Sequence, residues 1–171
     1  MIEAECVIGL QNPKSPSNVG SILRAAGCFN AQEVLYTGER YARAAKFSTD
    51  TKDAQAKILL SHTEDLLAQL IEGSSVVAVE LVTGAVSLTD FVHPANALYL
   101  FGPEDGSLSQ ELVDAADYVV YIPTIGCLNL AASVNVVMYD RQAKLNIVAE
   151  GDETIINSRD RNNNLRRLAS S

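Results

Sequence analysis

Cysteine and histidine are scarce. Cys6, Cys28 and Cys127 are scattered and odd in number, with no C-x-x-C pair and only His62 and His93 as imidazoles. Neither a disulfide framework nor a zinc site is expected from that set. The chain starts on acidic rather than basic residues, and no apolar run approaches the roughly 20 residues of a membrane span. A reducing cytoplasm is therefore the expected compartment. Positive charge is missing from the middle of the chain: residues 58–140 hold no Lys or Arg but 11 Asp and Glu. The net charge of −8 argues against a sequence-blind polyanion binder. All 13 basic residues fall in the first 57 or the last 31 positions. They are either ordinary solvated charges or two ends of the chain building one basic face on an acidic body.

What is present fits one domain with a sizeable core, at 171 residues and 47% apolar composition. Residues 5–10, 33–37, 76–81, 98–101 and 118–122 are short apolar runs with the character of buried strands. Residues 18–28 place Val19, Ile22, Leu23 and Ala26 on one helical face, with Ser17 or Asn18 as cap. Further helices are expected over 63–71, with Leu66, Leu67, Leu70 and Ile71 inward, over 109–116, and over 128–144. The last is apolar nearly all round and should be deeply packed. Alternating strands and helices predict an α/β fold, a parallel sheet covered by helices on both faces. Its binding loops should follow the carboxyl ends of the strands. Residues 1–150 form the expected domain, and the polar segment 151–171 the expected flexible tail.

Three loops carry the chemical signal. Residues 12–24 follow a strand and open a helix, so free N–H groups face whatever binds there, with Gly20 and Arg24 sharing the polar helix face. Residues 98–109 run a buried strand into Gly102-Pro103-Glu104-Asp105-Gly106, a turn that brings backbone close to a ligand. It contains no Lys for phosphates and matches neither a dinucleotide nor a Walker pattern, which disfavours nucleotide hydrolysis. Residues 122–135 place Asn129 and Ser133 four apart on the apolar last helix, where a polar pair needs partners.

In this order and at these separations the loops resemble the three motifs of the SpoU/TrmH branch of the SPOUT RNA methyltransferases. The first resembles N-x-G-x-x-x-R at Asn18, Gly20 and Arg24; the second resembles F-G-x-E-x-x-G-L-S from Phe101 to Ser109; the third resembles I-P-M-x-G…S-L-N-V-S-V from Ile122 to Ala132. The resemblance covers about residues 5–144. It implies a deep C-terminal trefoil knot, a homodimer, and S-adenosylmethionine bound by the second and third loops without a metal. Gly102, Ile122, Ile125, Cys127 and Leu128 would contact that cofactor, with Val79 and Glu80 bordering it. Arg24 matches the family's catalytic arginine, held at the subunit interface near the target ribose. It either orients the 2′-hydroxyl and neutralises developing charge or, as an unusually desolvated guanidine, takes the proton. The high pKa of arginine favours the first role. Asn18, Glu104 and Asn129 match polar motif positions and imply positioning roles.

Two departures stand out: Cys127 replaces the usual serine, and the third motif is shortened. No separate RNA-binding domain is expected before the first strand, a resemblance to the family's minimal members, some of which act on tRNA. RNA, with tRNA ahead of rRNA, is thus the expected partner. Lys14, Arg40, Arg43 and Lys46 would contact phosphates, and Tyr41 and Phe47 would stack on bases. Arg159, Arg161, Arg166 and Arg167 would add a basic arm. A base methyltransferase of the same fold and a non-catalytic RNA-binding factor are the alternatives.

Overall fold

The computed structural model describes residues 4–47 and 58–167. Its strands are β1 (Cys6–Leu10), β2 (Glu33–Tyr36), β3 (Leu59–His62), β4 (Ser75–Val79), β5 (Val86–Ser87), β6 (Ala97–Phe101) and β7 (Tyr118–Tyr121). Its helices are α1 (Pro16–Cys28), α2 (Arg40–Ala45), α3 (Gln110–Ala115), α4 (Leu130–Leu145) and α5 (Asp152–Ser158). The seven strands make one sheet in the order β3-β2-β1-β6-β4-β7-β5, with every pairing parallel.

Strand alternation divides the apolar side chains between two faces. Ile8, Leu10, Val34, Val77, Tyr99 and Phe101 point to the face covered by α1 and α4. Val7, Leu35, Val76, Ala78, Leu98 and Leu100 point to the other, covered by Leu66 and by Leu108 and Leu112 around α3. Both faces are dry, which is why the central strands read as continuous apolar runs. The register pairs Leu10 with Phe101, Phe101 with Val79, and Val79 with Val120. Four strand ends therefore lie in one row, and the loops leaving them must sit side by side.

Several local expectations change. The first helix begins earlier, at Pro16, because the Ser15 hydroxyl rather than Ser17 or Asn18 accepts the Asn18 N–H at 3.3 Å and Pro16 needs no N–H partner at that end. The helix expected over 63–71 shrinks to a 3₁₀ turn at Leu67–Gln69. The Thr63 hydroxyl and the Asp65 carboxylate capture the Asp65 and Leu67 N–H groups locally, and only Leu66 is buried while Leu70 and Ile71 stay exposed. The last helix starts at Leu130, and only one side of it is packed. Val134, Val137 and Met138 are buried, whereas Val136 and Tyr139 are exposed, since no described element of the chain covers that side. Segment 151–171, read as a polar tail, carries the helix α5.

Candidate active site

The loops after β4, β6 and β7, with the start of α4, surround a cleft of about 250 Å³, and the loop from β1 into α1 lies behind it, bonded to Glu104 and Asn129. Of the residues expected near a cofactor, the structure brings Val79, Glu80, Gly102, Ile122, Cys127 and Leu128 together in the cleft lining. Ile125 is not among them: its side chain is fully exposed outside the lining, so the expected apolar slot is built without it. Pattern reading missed the contributions of Tyr121, Thr124 and Leu130. They flank the motif positions, and only the path of the loop from β7 into α4 brings them to the cleft.

A hydrogen-bonded chain joins the three loops. Glu104 accepts the backbone N–H of Lys14 at 2.8 Å and of Ser15 at 2.9 Å, together with the side-chain amide of Asn18 at 3.0 Å. Asn18 Oδ1 in turn accepts from Asn129 Nδ2 at 3.1 Å. Asn129 Oδ1 accepts the N–H groups of Ala131 and Ala132, capping α4. An ionised carboxylate only accepts. Glu104 thereby fixes the orientation of the Asn18 amide, which fixes that of Asn129 and leaves its oxygen for the helix. Burial pushes the Glu104 carboxyl upward in pKa, but the Asn18 amide and the backbone donors outweigh it and hold it below the ordinary carboxylate value. The Ser133 hydroxyl, the other member of that polar pair, donates to the Asn129 backbone carbonyl at 3.1 Å.

The middle loop turns tightly. A Cβ on Gly102 would stand 2.7 Å from the Leu108 nitrogen, so any side chain there would force the turn open. Gln11, which sequence reading passed over, accepts the Ser109 N–H at 2.8 Å.

A model of the SpoU rRNA Methylase family matches residues 5–139. The chain belongs to that family. Among solved structures, an AdoMet-bound rRNA methyltransferase from Sinorhizobium meliloti is 26% identical with a TM-score of 0.67; the match covers 84% of this chain but only 57% of that one. A TrmH/SpoU tRNA modifying enzyme from A. aeolicus is 18% identical with a TM-score of 0.69, over 86% and 77% of the two chains. A structure described as giving insight into 2-OH methylation of C/U34 on tRNA is 24% identical with a TM-score of 0.70, over 84% and 92%. No curated protein matches the sequence.

In this SpoU chain the basic residues of the first loop and α2 are less available than their positions suggested. Arg40 donates twice to Asp105, at 2.9 and 3.0 Å, and to the Asn12 carbonyl at 2.6 Å, so it ties the first loop to the second. Its guanidinium holds the Asp105 carboxyl below its ordinary pKa. Lys14 lies 3.7 Å from the same carboxylate, and Arg43 pairs with Glu39 one turn earlier. Lys46 is exposed. Tyr41 is buried in the core and unavailable for base stacking, whereas Phe47 is exposed. Nor do all the basic residues gather on one face, because Arg141 is buried and Lys144 binds the Leu88 and Phe91 carbonyls; Lys52 and Lys57 lie outside the described residues. Arg24 is exposed on α1 and does not line the cleft. Among the described residues it has no hydrogen bond or ion pair, so its charge is uncommitted.

Proposed function

We propose that this chain is an S-adenosylmethionine-dependent RNA methyltransferase that acts on a ribose 2′-hydroxyl, with tRNA preferred over rRNA, as a homodimer in the cytoplasm. The observation that carries this reading is the Glu104–Asn18–Asn129 chain, which locks the three motif loops around one cleft. The cleft chemistry suits the cofactor. Its lining holds two carboxylates, Glu80 and Glu104, and no Lys or Arg, alongside apolar Val79, Ile122, Leu128 and Leu130. That environment accommodates a cationic sulfonium attached to a flat heterocycle and is unfavourable to a polyphosphate. When bound, the cofactor supplies an electrophilic methyl group.

The chain's own residues then orient. Asn18 holds Glu104 and Asn129, which form part of the cleft wall, and a ribose hydroxyl has only to be aligned. Arg24 supplies the uncommitted cation that steadies developing negative charge on the ribose oxygen. Because it stands outside its own chain's cleft, a second copy is needed to bring it to a site. The uncovered side of α4, with Val136 and Tyr139 next to Phe29, Ile122 and Pro123, supports such pairing. Insertion of β7 between β4 and β5, whose own connection is residues 80–85, supports the trefoil knot. The tRNA preference rests on the relative described for tRNA 2-OH methylation, of which this chain spans 92%.

The test is incubation of the protein with labelled S-adenosylmethionine and bulk tRNA or rRNA, followed by mass spectrometry of the digested nucleosides. A 2′-O-methylated nucleoside from tRNA is expected. A methylated base would move the reading to base methylation, and no labelled product with either RNA would sink it.

A further inference from the structure

Glu80 stands at the carboxyl end of β4, and both of its carboxylate oxygens are already engaged. Oε1 accepts the N–H of Leu81 at 2.8 Å and Oε2 accepts the N–H of Leu108 at 2.8 Å. Its own N–H donates to the Val120 carbonyl on β7 at 2.9 Å. One residue therefore fastens three sides of the cleft: the strand end it occupies, the loop after β6, and the strand leading into the third loop. The Leu108 and Ser109 amides are consecutive, and the second is taken by Gln11 from the β1 side. The turn over residues 102–108 is thus pinned from both flanks at the point where Gly102 already lies against the Leu108 nitrogen.

Building on the methyltransferase reading of this cleft, we infer that Glu80 is a positioning residue rather than a cofactor ligand: its carboxylate braces the 102–108 turn in the shape that receives the cofactor. Only a carboxylate serves both amides, because it presents an acceptor to each. In Glu80→Gln one amide N–H would face an NH₂ donor. In Glu80→Asp the shorter side chain would fall short of Leu108.

Amide hydrogen exchange on ¹⁵N-labelled protein tests the brace without any ligand. In Glu80→Gln, protection is expected to fall about tenfold or more at Leu108 or Leu81 and to hold in the strands. Ser109 serves as the neighbouring control, released by Gln11→Ala but not by the Glu80 change. Unaltered protection at both Leu81 and Leu108 would overturn the inference, and so would a uniform loss across the sheet, which would make Glu80 a general stability residue. Calorimetric titration with S-adenosylmethionine adds the functional arm. A roughly tenfold weaker Kd is expected in Glu80→Gln. Glu80→Asp should not rescue it. Wild-type affinity in the variant would overturn the brace as a determinant of binding. Failure of the wild-type protein to bind counts against the methyltransferase reading instead, while the exchange arm still decides the brace.

Discussion

Two polar networks lie at different places along α4, and they are built in different ways. At its N-terminus, Asn129, Asn18 and Glu104 form a partly exposed chain among loops, open to the cleft. Toward its C-terminus, buried His93 bridges the Tyr99 hydroxyl at 2.7 Å and Asp140 at 2.8 Å, and Asp140 also meets Lys144 at 2.8 Å. The carboxylate can only accept, so His93 Nε2 carries the proton and Nδ1 accepts from Tyr99. Burial lowers the His93 pKa against the pull of Asp140, so the imidazole is neutral and Lys144 is the cation that balances Asp140. Nearby, Arg141 binds the Glu5 and Ala95 carbonyls, and burial pushes the Cys6 thiol up to about 11. The first network orders loops that must receive something. The second fastens α4 to the sheet, and only Asp140 of it borders the mainly apolar groove beside Val136 and Tyr139. Polarity inside a fold is therefore not by itself a sign of chemistry: the first network ties motif loops together at the strand ends, whereas the second ties a helix to the sheet beneath it.

This contrast can be broken from either side. The largest effect is expected for Arg24→Ala, which should lower methyl transfer by about 100-fold or more while cofactor affinity and melting temperature stay near wild type. Retained turnover would remove the cation from the site. Next, Glu104→Gln turns one acceptor into a donor facing the first loop, so both networks' hallmarks should appear together. Activity should fall about tenfold, and stability by about 2 kcal/mol in a denaturant titration.

His93→Asn should show the opposite balance, costing about 2 kcal/mol through the unpaired Tyr99 and Asp140 groups, with activity per folded molecule unchanged. An activity loss matching that of Glu104→Gln would erase the distinction between the two networks. The same histidine sets a pH dependence. Its folded pKa lies below the ordinary value of about 6.5, so its contribution is complete above that pH and declines as the pH falls toward the lowered folded value. Wild-type melting temperature should drop between pH 7.5 and 5.5, and His93→Asn should flatten that drop. The smallest effect belongs to Arg40→Ala. Its partner Asp105 is half exposed, so solvent screening should leave the denaturation midpoint close to that of wild type. Loss of RNA affinity would restore Arg40 as a phosphate contact.

Much of the site was legible because its chemistry is local in the chain. The Gly-Pro-Glu segment sits directly after a buried strand, and the loop that opens the Asn-x-Gly helix follows another, so strand periodicity alone places both loops at carboxyl ends. The failures are equally specific. The leucines over 63–71 have helical spacing, but Thr63 and Asp65 offer the backbone competing local bonds, and only Leu66 is fully buried, with Leu67 partly packed beside it. Arg40 and Tyr41 look like an RNA-facing pair until the fold brings Asp105 to one and the α1-side core to the other. Ile125 is apolar and central to its motif, yet it points to solvent.

Sequence by itself determined the parallel α/β architecture, the three loops and the family, since apolar periodicity and short motifs survive without knowledge of distant partners. Tertiary structure alone decided which polar groups are spent and which are free. Glu104 meets Asn18, Glu80 meets Leu108 and Arg40 meets Asp105 across separations of 86, 28 and 65 residues. Hydrogen bonds of that range depend on strand order and register, which place Leu10, Val79, Phe101 and Val120 in one row. No local pattern encodes that row, because it is fixed only when both faces of the sheet are buried at once.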